Sequence, residues 1–229
     1  MLFRDEFYFL SNMYPVPVTV NINGKDMTFD CSEAAFQAGK CAERAGEFLG
    51  IDGYAAKSLG RKVKIITGWN VIKLEWMYRV LVAKFTQNKE LGDKLVATGT
   101  MELVEDNTWR DTYWGRYEGQ GENHMGKLLM RVRVMLRRKM NQEKIRDTWD
   151  RIMEMLPHEP RTEDADDPGF WVDGNRILCP SEAKAVTLYE FMDDVFSEWG
   201  SYDLNMGQYG NNGFWYLELE TPEGGSGDA

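Results

Sequence analysis

Glu33, Gln37 and Lys40 stand at i, i+4 and i+7, a spacing that puts a carboxylate, an amide and an amine on one face of an α-helix. At a rise of 1.5 Å per residue, Glu33 and Lys40 would lie about 10.5 Å apart along the axis, too far for an adjacent-turn ion pair. Long side chains lean toward the helix N-terminus, so Lys40 tips back toward Glu33 and a sugar-sized object fits between them. A solvated helix face has the same spacing. A second group lies in DTYWGRYEGQGEN, where aromatic, acidic and glycine residues interleave without helix or strand periodicity. Here Asp111 could orient a ribose hydroxyl or an attacking water, and Trp69, Trp109 and Trp114 could stack on a nucleobase. The plainer alternative makes the tryptophans core anchors and Asp111 a turn cap. Gly119-Gln120-Gly121-Glu122-Asn123 opens a helix whose N–H groups could receive phosphate, or is simply a turn followed by the N-cap Asn123. It has neither the third glycine of a dinucleotide fingerprint nor the Gly-Lys-Ser/Thr of a P-loop. Arg61 is a candidate phosphate partner or an ordinary surface charge. Carboxylate, amine and aromatic groups together suit cleavage at an anomeric carbon: a carboxylate stabilises oxocarbenium character, an acid protonates the departing group, and a ring holds the base.

Other chemistries have less to stand on. No Gly-x-Ser-x-Gly elbow occurs, His124 and His158 share no motif, and Cys31, Cys41 and Cys179 are too scattered for a disulfide framework or a zinc site. The expectation is no metal, no cofactor and a reducing compartment. No window approaches eighteen consecutive apolar residues, and charges interrupt the N-terminus where a signal peptide needs an apolar core, so a cytoplasmic location and no membrane partner are expected.

The formal charge of −10 over 229 residues would argue against an anionic ligand, but it is unevenly placed. Residues 1–140 carry 21 Lys/Arg against 17 Asp/Glu, a net +4, whereas residues 141–229 carry 6 against 20, a net −14. A main domain over 1–140, an acidic accessory segment over 141–222 and a flexible tail over 223–229 that ends in GGSGDA are therefore expected. The acidic segment reads as a packed, solubilising extension or as a surface for a protein or for self-association.

The elements that must position these residues can be read from periodicity. PVPVTVNINGKDMTF alternates around Asn23-Gly24, which predicts a hairpin. SEAAFQAGKCAERAG predicts a helix with Asp30 and Glu33 at capping-box spacing and Ser32 as a competing cap. Further helices are predicted at Gly53–Leu59, Asn70–Phe85 with Leu74, Met77, Leu81 and Phe85 as its core stripe, and Lys89–Ala97, with Gly60 and Gly99 closing two of them. Met101–Glu105 reads as a short strand. A helix after Asn123 carries Met125, Leu128, Leu129, Val132, Met135 and Leu136 on one face and ends near Arg137, Arg138 and Lys139, favourably for its dipole. The accessory half reads as a helix over Glu143–Met155, a hairpin turning at Asp173-Gly174, a helix from Ser181 to Phe196 and a last strand, FWYLELE. There is no internal repeat.

FLSNMYPVPV, CSEAAFQAGKC, Gly60-Arg61, WRDTYWG and GQGENHMGKLLMRVRV resemble, in that order, the NADAR family, also called YbiA-like proteins, over about residues 7–138. The resemblance implies a helix-rich α+β domain with a small β-hairpin region, followed here by a small acidic α+β C-terminal extension. It implies an N-glycosidase that separates a base from C1 of a phosphorylated ribose. The implied substrates are early riboflavin-pathway phosphoribosyl-aminopyrimidines or ADP-ribosyl-guanine, in nucleosides or in DNA. Carried over by motif, the glutamate falls on Glu33 and the lysine on Lys40 with Gln37 between them. The Asp/aromatic/Trp-Gly segment falls on Asp111, Tyr113, Trp114 and Gly115, the helix start on Gly121, Asn123 and Gly126, and a family tryptophan on Trp69. Ala34-Ala35 departs from the His and aromatic residue of many relatives. Glu33, Lys40 and Asp111 are thus the expected catalytic residues, with Gln37, Arg61, Trp69, Trp114, Gly121 and Asn123 binding substrate. The rival reading is a non-catalytic module that binds ADP-ribose or NAD derivatives.

Overall fold

A computed structural model of the protein describes residues 3–159, 169–210 and 213–220. The GGSGDA tail lies outside them. By internal contacts the chain divides into two units, Met1–Arg137 and Arg138–Ala229.

In the first unit, strands β1 (Pro15–Ile22) and β2 (Lys25–Cys31) pair antiparallel, with Ile22 opposite Lys25. The two residues between them, Asn23 and Gly24, have φ of 53° and 79°, the positive values that a tight hairpin turn demands. Helix α1 (Ser32–Gly39) follows without a break, and neither Asp30 nor Ser32 caps it. Asp30 belongs to β2, and the N-cap residue is Cys31, which makes no side-chain cap bond. The predicted longer helix also stops early: Lys40 is the C-cap and a 3-10 segment, Ala42–Phe48, replaces the rest. Helix α2 (Gly53–Gly60) is capped by Asp52, whose carboxylate accepts from Ala55 N at 2.8 Å. Helices α3 (Trp69–Gln87) and α4 (Lys89–Ala97) follow as expected, with Met77, Leu81 and Phe85 buried along α3.

Met101–Glu105 is not a strand. It is extended chain whose backbone bonds are made elsewhere: Glu105 N donates to Asn123 Oδ1 at 3.0 Å and Leu103 O accepts from Asn123 Nδ2 at 2.9 Å. Helix α5 (His124–Met155) buries Met125, Leu129, Val132 and Leu136 in the core of the first unit. It is one helix of 32 residues where two were expected. Arg137, Arg138 and Lys139 therefore sit mid-helix, away from its dipole end, and Arg137 Nη2 instead donates to Gly99 O at 2.7 Å.

Lys84 on α3 is wholly buried, with Nζ donating to Ser11 O at 2.8 Å and lying 5.5 Å from the Tyr14 ring centre. Burial pushes its pKa down to about 7. Between there and its ordinary value near 10.5 the unfolded chain holds a proton that the folded chain lacks, so this group makes stability rise with pH across that window. Lys84→Met should remove that rise. Thermal melts at pH 6, 8 and 9.5 are expected to show the variant gaining most on the wild type at pH 6, and parallel curves would contradict this.

The second unit is an antiparallel sheet in the order β3-β4-β6-β5, formed by Trp171–Asp173, Arg176–Cys179, Phe214–Glu220 and Asp203–Tyr209, with helix α6 (Glu182–Ser197) packed on it. Ser181 caps α6 by accepting from Lys184 N. The first hairpin has Asp173 opposite Arg176, so its turn residues are Gly174-Asn175, one position later than predicted, and strand β5 lies where no strand is predicted. Ile145, Trp149, Ile177, Phe196 and Leu217 form its core. Mixed α+β is thus the fold class. Among the described residues no helix is long and apolar enough to cross a membrane.

Candidate active site

Helix α1 is only eight residues long, and seven of them are buried, Glu33 and Gln37 included. A carboxylate removed from water needs a donor, and Gln37 Nε2 supplies one to Glu33 Oε1 at 2.7 Å. The backbone of Glu33 is fixed as well, its N–H donating to Asn12 O at 2.9 Å. Gln37 is held from its other side by α2: a Cβ at Gly60 would fall 1.9 Å from Gln37 Oε1, so only glycine lets the helices approach this closely. Ala34 and Ala35 point their small side chains into the core with Val18 and Phe29.

Lys40 begins where α1 ends, and its Nζ lies 5.6 Å from the centre of the Phe36 ring. Burial pulls the pKa of its ammonium down; Glu33 opposes this, while Lys57 and Arg61 add to the lowering. Phe36 also touches two of the tryptophans, with ring centres 5.3 Å from Trp69 and 5.4 Å from Trp114. The amine, the carboxylate and an aromatic group are therefore neighbours. Trp109 stands apart from the ring cluster: it is 55% exposed, with Lys57 Nζ 5.9 Å from its ring.

In the loop before α5, Asp111 Oδ1 accepts from the backbone N–H groups of Tyr113 and Trp114, both at 2.9 Å. It caps a turn, and that turn presents Trp114 to Phe36. Gly121 and Asn123 serve the scaffold rather than a phosphate. The N–H groups of Glu122, Asn123, His124 and Met125 donate to the carbonyls of Thr112, Gly115, Tyr113 and Trp114, which uses up the donors that a phosphate would need. Gly121 has φ 139°, and a Cβ there would lie 2.4 Å from Gly115 O. Asn123 is 1% exposed, and both ends of its amide hold the Leu103–Glu105 segment. Arg61 is exposed beside Lys40 and Lys57, where it remains free to meet an anion.

Two further residues carry no motif in the sequence. Lys57 belongs to a run from Gly53 to Leu74 that has no acidic residue but contains Lys57, Arg61, Lys62, Lys64 and Lys73, a charge bias that is the one available signal for it. Glu105 falls at the end of the predicted strand, but it is half-buried, its Oε2 has no hydrogen-bond partner, and it feels the charges of Asp111, Glu33 and Lys57. Among the described residues no His/Cys/Asp/Glu group has a metal-holding arrangement.

A buried carboxylate and a desolvated amine, with aromatic rings beside them and cations at their edge, thus lie together on a helix-rich α+β scaffold. The chain belongs to the NADAR domain family, whose model matches residues 2–137. It is similar to the N-glycosidase YbiA of Escherichia coli (strain K12), 35% identical over 138 residues that make up 58% of this chain and 83% of that protein. It is also 34% identical over 134 residues to a riboflavin biosynthesis protein of Vibrio vulnificus, of which the match spans 35%. The NMR structure of the Escherichia coli protein YbiA superposes with a TM-score of 0.51 at 33% identity, covering 59% of this chain and 82% of that one.

Proposed function

We propose that the protein is an N-glycosidase that hydrolyses the bond between C1 of a phosphorylated ribose and a nucleobase-like amine. The observation that carries this reading is the pairing of Glu33, held by Gln37 in a buried position, with Lys40, whose ammonium is disfavoured by burial and by Lys57 and Arg61. A carboxylate so placed stabilises positive charge developing at C1. A lysine whose neutral form is favoured is a nucleophile for the same carbon. Trp114, half-buried against Phe36, supplies a face for the base, while Trp69 is buried in the core behind Phe36 and anchors it, and Arg61 with Lys57 supplies charge for the phosphate. Asp111 contributes by setting the turn that carries Trp114 and by its charge near Glu105.

The chemistry runs in one of two ways at this site. Either water attacks C1 with Glu33 taking its proton, or Lys40 attacks, the ribose ring opens to a Schiff base, and water releases the sugar. The substrate is a phosphoribosyl-aminopyrimidine or ADP-ribosyl-guanine, free or in DNA. A paired assay that follows release of the base from each substrate type distinguishes them. Turnover of at least one is expected, and binding of ADP-ribose without cleavage of either would replace the enzyme by a binding module.

A further inference from the structure

Protonation of the departing base is the one role that Glu33, Lys40 and Asp111 leave unfilled. Glu33 Oε1 is bonded by Gln37 and must be ionised to face a developing cation. Asp111 Oδ1 is taken up by two backbone N–H groups and holds the turn that carries Trp114. Glu105 is placed differently. Its main chain is pinned on both sides, the N–H by Asn123 Oδ1 at 3.0 Å and the carbonyl by Arg116 N at 2.8 Å. Its carboxyl is given no donor: Oε2 is buried and unpartnered. The charged groups that bear on it are Asp111 and Glu33, which disfavour a further negative charge, and Lys57, which favours one.

We propose that Glu105 is the general acid of the N-glycosidase reaction, donating its proton to the leaving nitrogen of the base as the C1–N bond breaks. This assignment rests on the N-glycosidase reading above. As the bond breaks, its electron pair stays on nitrogen and takes up the Glu105 proton, leaving a carboxylate. The water whose oxygen ends on C1 gives its one proton to Glu33, and exchange with solvent then takes a proton from Glu33 and returns one to Glu105, so the site is restored with no other reactant. Burial, with Asp111 and Glu33 adding to it and Lys57 opposing, raises the carboxyl to about 7, so near neutrality it is still protonated and able to give its proton up. Asn123 and Arg116 act as positioning groups that hold the main chain of the acid in place.

The test compares Glu105→Gln with the wild type on the cleaved phosphoribosyl-aminopyrimidine or ADP-ribosyl-guanine and on a 5-phosphoribosyl nitrophenolate, whose leaving group departs without protonation. On the first substrate kcat is expected to fall by about 10²- to 10⁴-fold, with the wild-type limb near pH 7 lost. On the second it is expected to fall less than about threefold, a difference that a merely structural role would not produce. Equal losses on both substrates, or a pH limb near 7 that survives in the variant, would overturn the assignment while leaving the N-glycosidase reading intact. Wild-type cleavage of neither substrate would overturn both. Should Glu105→Gln fold poorly, the wild type alone decides: the limb near pH 7 is expected with the base substrate and not with the phosphoribosyl nitrophenolate, and its presence in both would dispose of the acid.

Discussion

Lys40→Ala and Glu33→Gln should each reduce turnover by at least about 10³-fold, the largest activity losses expected of any single change. The reasons differ. Lys40 places its amine beside the Phe36 ring, and its neutral form is favoured by burial, Lys57 and Arg61 against the pull of Glu33. If it attacks C1, borohydride added during turnover reduces the Schiff base and leaves a covalent ribosyl adduct visible by intact mass. Failure to trap the active wild type counts against the covalent route, and near-normal turnover by Lys40→Ala removes it. Glu33→Gln keeps the shape and a hydrogen bond to Gln37 but removes the charge that faces C1. Its loss is expected in kcat rather than KM, because the charge matters most where positive character develops. A kcat within tenfold of wild type would show that Glu33 is not the stabilising carboxylate.

Gly126→Ala is expected to cause the largest loss of stability, about 3 kcal/mol, together with loss of turnover. Gly126 lies in the first turn of α5, and a Cβ there would fall 2.0 Å from Leu103 O and 2.5 Å from Asn123 Nδ2. Neither atom can yield cheaply. The carbonyl is backbone, and the amide is the clamp that holds both Leu103 and Glu105. The added methyl must push the Leu103–Glu105 segment off α5 and thereby displace the Glu105 carboxyl. Chemical denaturation measures the first effect and base release the second. A variant as stable as wild type would mean that the segment can retreat without cost. Ala at Gly46, where nothing lies within 4 Å of the added carbon, serves as the control.

The parts of the fold that are legible in the sequence depend on local chemistry. Asn23-Gly24 determines a two-residue turn because few other dipeptides accept two positive φ angles, and the α3 stripe of Met77, Leu81 and Phe85 follows from helical period alone. The +4 and −14 halves are likewise a property of composition. Boundaries that depend on packing are not legible. The end of α1 at Gly39 is one, where the indole of Trp76 from α3 packs so closely that a Cβ at 39 would fall 2.1 Å from it. The unbroken α5 is another.

The candidate site divides in the same way. The i, i+4 spacing of Glu33 and Gln37 makes their bond readable from helical geometry alone, and the residue types at Glu33, Lys40 and Trp114 announce carboxylate, amine and aromatic chemistry. Which groups face one another is decided only by the tertiary structure. The sequence does not tell that the helix start after Gly121 gives its N–H groups to the chain at 112–115, or that Asn123 grips an extended segment and with it Glu105. A side chain's type limits the reactions open to it. Its protonation, its partners and its access to a ligand come from neighbours remote in sequence, which is why Glu105, unmarked in the one-dimensional pattern, acquires its character only when Asp111, Glu33 and Lys57 fold around it.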